Sequence, residues 1–281
     1  MPSPYRGRFA PTPSGPLHFG SLVAALGSFL DAKAHCGEWL VRIEDVDKTR
    51  SQSGAAEVIL KQLQDHGLVW DGPVVQQSDR DSIYQHKLEQ LAHYLYSCDC
   101  SRKAIRARAD CYDGYCRTRQ PRSSPHAIRF KNDQPVLTFS DRWHGTVTAS
   151  TICAREDFIV RRRDQLYAYQ LAVVVDDIAQ GITDIVRGSD LLQPSFWQLS
   201  LWQCLAKRQP RMMHLPLVVD PVGRKLSKQN HAPAIDSRCA MDNLRAAAKY
   251  LQLDLPDAQD VADLLSIAVE KWRKKWQITT D

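Results

Sequence analysis

The stretch RFAPTPSGPLHFGSLVAALGSFL, Arg8 to Leu30, decides how this chain is read. It opens as a short extended segment ending at Pro11 and breaks at Thr12-Pro13-Ser14-Gly15-Pro16, a run of turn formers. It resumes as a helix from about Ser21, with Leu22, Leu26, Phe29 and Leu30 on one face. Trp39-Leu40-Val41-Arg42-Ile43 comes next as a compact apolar strand, so the opening of the chain spells strand, helix, strand, a βαβ unit. In such a unit the loop leaving the first strand faces a helix N-terminus, whose unpaired N–H groups and positive dipole end favour phosphate. His18 and Gly20 stand at that point.

The whole chain has 281 residues, 43% hydrophobic and 25% charged, with no low-complexity tract, which describes a globular protein of one or two domains. Its apolar runs, such as Leu171 to Val175, are far short of the ~20 residues needed to cross a bilayer, and no signal-type segment comes after Met1. A cytoplasmic location without membrane contact is expected. The net charge of +5 admits a polyanionic partner without requiring one. Of eight cysteines, Cys98, Cys100, Cys111 and Cys116 are clustered while Cys36, Cys153, Cys204 and Cys239 are scattered, a distribution that suggests a metal rather than disulfides.

His-x-Gly alone also occurs in ordinary turns, but a second signal lies at VGRKLSKQN, residues 222–230. Lys225 and Lys228 stand there three apart beside Ser and Gly, a cationic loop suited to a triphosphate, although such runs are also common on solvated surfaces. In this order the two segments resemble the His-x-Gly-His and Lys-Met-Ser-Lys-Ser signatures of class I aminoacyl-tRNA synthetases. RFAPTPSGPLHFGS, VRIEDVDKTR, YQLAVVVDDIAQGITDIVRGSDLL and KLSKQ are further similar, in order and spacing, to segments of bacterial glutamyl-tRNA synthetases. Ser21 stands where the class has its second His, Leu226 where it has Met and Gln229 where it has the final Ser; the charged groups remain. The likeness runs from about Arg8 to Asn230. A glutamyl-tRNA synthetase then continues for about as long again into anticodon-binding domains, whereas residues 231–281 leave room for a short helical part. Two stripes mark it: Leu244, Ala248 and Leu251, then Val261, Leu264, Leu265 and Ala268. The family that resembles the chain in both respects is the glutamyl-queuosine tRNA(Asp) synthetases, which attach glutamate to the modified base queuosine.

The resemblance implies an α/β class I Rossmann-like core, with its first half over residues 1–75 and its second half, including the KLSKQ loop, over 156–230. Between them, residues 76–155 are expected to form an inserted α+β zinc subdomain, and 231–281 the helical C-terminal part. It implies ATP with Mg²⁺, L-glutamate and queuosine-containing tRNA(Asp) as partners. Attack of a glutamate carboxylate on the α-phosphorus of ATP requires positioning and charge stabilisation and no general base. His18, Gly20, Lys225 and Lys228 are the expected catalytic groups, with His18, Gly20 and Lys228 on ATP. Arg8, Ala10, Thr12, Glu44, Tyr169 and Arg187 are the expected glutamate-binding residues: two guanidiniums suit two carboxylates, and Glu44 suits the ammonium. The residues alone fit equally a surface cluster of Arg42, Glu44 and Asp45, with Arg187 paired to Asp184 or Asp190.

In the inserted segment, Ile83, Leu88, Leu91 and Leu95 predict an amphipathic helix, and HAIRFKN and GTVTAS predict strands. Arg102, Lys103, Arg106, Arg108, Arg117 and Arg119 supply a phosphate-compatible surface or an ordinary solvated face. Spacing alone suggests four thiolates in a closed tetrahedral site. The resemblance implies instead one structural zinc per chain on Cys98, Cys100, Tyr112 and Cys116, with Cys111 a rival to Tyr112. Two other functions fit the same residues: a shortened glutamyl-tRNA synthetase that charges the tRNA 3′ end, and a non-catalytic zinc and RNA-binding module.

Overall fold

The computed structural model describes residues 4–122, 124–149, 154–219 and 233–279. The chain divides into two compact units. One comprises residues 1–76, 182–190 and 210–281, the other residues 77–181 and 191–209.

The first unit opens with strand β1 (Arg6–Phe9), helix α1 (Phe19–Ala34) and strand β2 (Glu38–Ile43). β1 and β2 pair in parallel with Arg8 opposite Leu40. The βαβ reading of the opening stretch is therefore observed, with the helix beginning two residues earlier than periodicity suggested. The reason is capping: His18 has extended backbone and its Nδ1 accepts from the Ser21 amide at 3.2 Å. The return into β2 brings the chain against its own start. A Cβ on Gly37 would lie 2.5 Å from the Tyr5 carbonyl oxygen, too close for any other residue. Helix α2 (Ala55–Asp65) and the short strand β3 (Val75–Gln76) come next, β3 continuing the parallel sheet beside β2.

Strands β9 (Asp184–Gly188) and β10 (Arg211–Leu215) complete the parallel elements of this unit and pair with Arg187 opposite His214. Helices α7 (Ala240–Tyr250) and α8 (Val261–Lys275) pack on α1. The predicted stripes form their buried faces: Leu244, Ala248, Leu251, Leu264 and Ala268 are almost fully enclosed. A buried acid joins the ends of the unit. Asp31 of α1, fully enclosed, accepts from the Tyr5 hydroxyl at 2.5 Å and from the Trp272 indole at 2.9 Å.

The second unit contains α3 (Asp81–Gln90), β4 (Leu95–Cys98), α4 (Arg102–Arg106), β5 (Ala127–Phe130), β6 (Thr138–Asp141), β7 (Gly145–Thr148), β8 (Phe158–Arg161), α5 (Tyr169–Ala179) and α6 (Pro194–Leu205). β4, β5 and β8 form an antiparallel sheet, and β6 and β7 a hairpin. The strands expected at HAIRFKN and GTVTAS are β5 and β7. The expected helix is shorter than its stripe: α3 ends at Gln90, Leu91 caps it, and Leu95 begins β4. Its anchor is polar. Buried Asp176 of α5 accepts from Arg80 Nε at 2.6 Å, Tyr84 Oη at 2.7 Å and Gln77 Nε2 at 2.8 Å. Among the described residues, no helix is long and apolar enough to cross a membrane.

Candidate functional site

In the first unit the expected substrate residues gather where β1 and β2 end. Arg8 is buried within β1, and Ala10 and Thr12 lie in the loop beyond it. The Glu44 amide donates to the Pro11 carbonyl at 2.9 Å, which ties that loop to the end of β2. Glu44 is 5% exposed, and Arg42, fully enclosed, donates to its Oε1 at 3.1 Å. A buried ion pair is thus present where a surface cluster was the alternative, and two buried charges hold each other fixed.

Arg187 is 5% exposed, and its Nε donates to His214 Nε2 at 3.3 Å across the β9–β10 pair. Asp184, one of the partners that the sequence offers it, is engaged by Arg211 at 2.7 Å. His214 was missed at the sequence level. Its signal is a lone polar side chain in the apolar run Met212-Met213-His214-Leu215. Tyr169 belongs to the second unit, where it is the first residue of α5.

At the start of α1, acceptance by Nδ1 leaves the His18 ring proton on Nε2, so the ring offers a donor beside the helix N-terminus. Gly20 is the second residue of α1. Lys225 and Lys228 lie outside the described residues, as does the rest of the KLSKQ loop. The segment on the C-terminal side of that loop is tied to His18: Ala234 forms a bridge with His18, and the Ile235 amide donates to the Leu17 carbonyl at 3.0 Å. Gln62 of α2 braces both strands of this crossing. Its Oε1 accepts from the Leu17 amide at 2.7 Å and its Nε2 donates to the Ile235 carbonyl at 3.2 Å. Gln62 too was missed; it is a polar residue on the face of α2 that buries Ile59 and Leu63.

The second unit holds a thiol group. The sulfurs of Cys98, Cys100 and Cys116 lie within 4.8 Å of one another, with Cys100 and Cys116 3.5 Å apart. Tetrahedral zinc with thiolates at ~2.3 Å requires sulfurs roughly 3.8 Å apart, so the spacing suits the ion. Cys111 is not part of this group. Tyr112 packs against Cys98 and Cys116, its hydroxyl accepting from the Cys116 amide at 2.9 Å. Burial opposes ionisation of Cys98, but the Arg129 guanidinium outweighs it and draws the thiol below its ordinary value. Burial and the Cys116 sulfur push Cys100 up to about 11. Three soft sulfurs grouped in this way could hold a metal ion, with the Tyr112 ring packed beside them.

Beneath it lies a polar scaffold. Asp157 accepts from Arg117 Nε and Tyr96 Oη, each at 2.6 Å, and from the Asn132 amide at 2.9 Å. Burial raises its pKa, but Arg117 and the hydrogen bonds prevail and hold the carboxyl below the usual range. The expected basic surface carries less uncompensated charge than its sequence suggests. All six are exposed, but Arg117 is bound to Asp157 and Asp133, and Arg108 to Asp113, which offsets part of their charge.

A parallel core with a capped helix N-terminus after β1 is the architecture of a nucleotide-binding synthetase, and the comparisons agree. The family described as tRNA synthetases class I (E and Q), catalytic domain, matches residues 5–249. A protein of Idiomarina loihiensis named glutamyl-Q tRNA(Asp) synthetase is 64% identical over 98% of this chain and 99% of its own length. One of the same name from Cronobacter sakazakii is 49% identical over 96% of this chain and 92% of its own length. The crystal structure of a glutamate tRNA ligase from Elizabethkingia meningosepticum, in complex with its amino acid, aligns with a TM-score of 0.70 at 30% identity. It covers 81% of this chain, and the chain spans about half of it, 52%. The chain therefore belongs to the class I tRNA synthetases of the glutamyl and glutaminyl group, in the glutamyl-Q tRNA(Asp) synthetase family.

Proposed function

We propose that the chain activates L-glutamate with ATP and transfers it to the cyclopentene diol of queuosine in the anticodon loop of tRNA(Asp). The observation that carries this reading is the 64% identity, along nearly the full length of both chains, to a protein named for that reaction. In the first step a glutamate α-carboxylate oxygen bonds to the α-phosphorus of ATP while the bond to the bridging oxygen breaks and pyrophosphate leaves. His18 Nε2–H and the amides at the start of α1 meet the phosphates from one side. Lys225 and Lys228, outside the described residues, would supply further positive charge for the phosphates, as would Mg²⁺ bound with ATP. In the first unit Arg8 and Arg187 take carboxylates, Glu44 takes the ammonium, and Ala10 and Thr12 complete the glutamate site. In the second step a queuosine hydroxyl attacks the adenylate carbonyl, forming an ester and releasing AMP, as a ribose hydroxyl would at a tRNA 3′ end.

Zinc on Cys98, Cys100, Tyr112 and Cys116 fits the donor set of the second unit. When bound, the ion supplies a cross-link that contributes folding free energy.

The experiment supplies labelled glutamate and ATP with tRNA(Asp) that contains or lacks queuosine, then digests the tRNA and locates the label. Label on an anticodon-loop fragment, in the queuosine-containing sample alone, is expected. Label on the 3′ terminal adenosine, or equal labelling of both samples, overturns this acceptor in favour of 3′-end charging. Absence of glutamate-dependent ATP–pyrophosphate exchange overturns the enzyme itself.

A further inference from the structure

The ligand set of the second unit poses a charge problem that a neighbouring residue answers. Three thiolates and a phenolate around a divalent ion leave two negative charges in a pocket whose Cys98, Tyr112 and Cys116 are each at most 5% exposed. Uncompensated charge at such a depth is strongly disfavoured. Arg129 of β5 lies against it and is itself 4% exposed. Its guanidinium carbon stands 3.6 Å from the Tyr112 ring centroid, the distance of a face-on stack. Its Nη1 donates to the Asp157 carbonyl at 2.6 Å, which anchors the head group to the scaffold. The register of the sheet sets Arg129 directly opposite Tyr96, whose hydroxyl binds the same aspartate. Arg108 also reaches the sulfurs, with Nη2 3.5 Å from Cys100, but it is more exposed and makes a two-pronged pair with Asp113.

We propose that Arg129 is the positioning residue of this metal centre, holding Tyr112 against the three sulfurs as the fourth ligand and balancing part of the charge of the set. Arginine suits the task where lysine does not, because a planar, weakly hydrated cation can stack on a ring while donating in its own plane. The inference rests on the reading of the cysteine group as a zinc site.

The test compares the full-length chain with the R129K, Y112F and double variants. Zinc affinity is measured by competition with a chromophoric chelator, and thermal melts are recorded with and without saturating zinc. Loss of an outer partner of a metal ligand typically costs about 10–100-fold in affinity. R129K is expected to lose about that much, Y112F a comparable amount, and the double variant little beyond the weaker of the two, since both changes remove the same ligand. R129K with wild-type affinity overturns the proposal. So do losses that multiply in the double variant, which would mean that Arg129 acts independently of Tyr112. An R129K protein without a cooperative melt even in saturating zinc also overturns it, assigning the residue to folding alone. A wild-type chain that takes up no zinc fails differently, removing the zinc reading itself.

Discussion

Arg187 owes its position to a neighbour: with Nε committed to His214, the guanidinium has one orientation within β9. Charge-assisted hydrogen bonds are worth about 1.5–3 kcal/mol each, so removing a two-pronged carboxylate partner costs roughly 10²–10⁴ in activation. Arg187→Ala should therefore lose glutamate-dependent ATP–pyrophosphate exchange by at least about 10²-fold while its melting curve stays cooperative. Exchange at the wild-type rate would remove Arg187 from the substrate pocket. A second residue governs acid stability. The Asp157 carboxyl sits below its ordinary value of 3.8, so its contribution is fully present above that pH and is lost as pH falls through the lower folded value. Asp157→Asn should destabilise the protein at pH 7 by about 2 kcal/mol, less than a fully buried pair because Arg117 is partly exposed. It should also flatten the dependence of urea midpoints on pH below 3.8. A parallel offset of the two curves across that range would contradict this. Neither Asp157 nor Arg129 was legible in the sequence, because their roles arise from partners distant in the chain: they lie 28 residues from each other, and Asp157 lies 40 from Arg117 and 61 from Tyr96.

At the scale of elements, legibility tracked the range of the forces. Strand, helix, strand could be read from Arg8 to Ile43 because apolar period and turn chemistry are local. The boundary at Phe19 could not, since a histidine rarely serves as a cap and its capping shows only in geometry. The stripe through Leu95 overran α3 because an apolar residue serves a strand as readily as a helix. The basic run overstated its uncompensated charge, since Asp113, Asp133 and Asp157 are invisible as partners until the chain folds. Gln62 is the element-scale case with a functional edge, because it joins α2 to the segment after the lysine loop, 173 residues away. Gln62→Leu leaves the Leu17 amide and Ile235 carbonyl without it, a loss of about 1–3 kcal/mol. Because these two groups flank the His18–Ala234 bridge, the variant should raise KM for ATP more than KM for glutamate. Steady-state exchange with each substrate varied in turn checks this; an effect confined to glutamate would refute it.

For the molecule as a whole, sequence order and spatial order diverge most in the first unit. Its sheet begins with residue 6, while the helices that cover α1 come from the last 42 residues. The hydrogen bond between Asp31 and Trp272 spans 241 positions. Translation at about 5–20 residues per second puts roughly 10–50 s between the emergence of those two residues. Throughout that interval the nascent chain carries α1, with Leu22, Leu26, Leu30 and a carboxylate destined for burial, without the helix α8 that completes its cover. Chains stalled on the ribosome before residue 261 should therefore be cut readily by protease within residues 19–34 and bind a holdase chaperone there, whereas released full-length chains resist. Protection of that segment in the stalled chains would show that α1 finds its cover without α8. The helix α8 is in this sense a timer: it keeps the Asp31 end of α1 from maturing until residues 261–275 have been made.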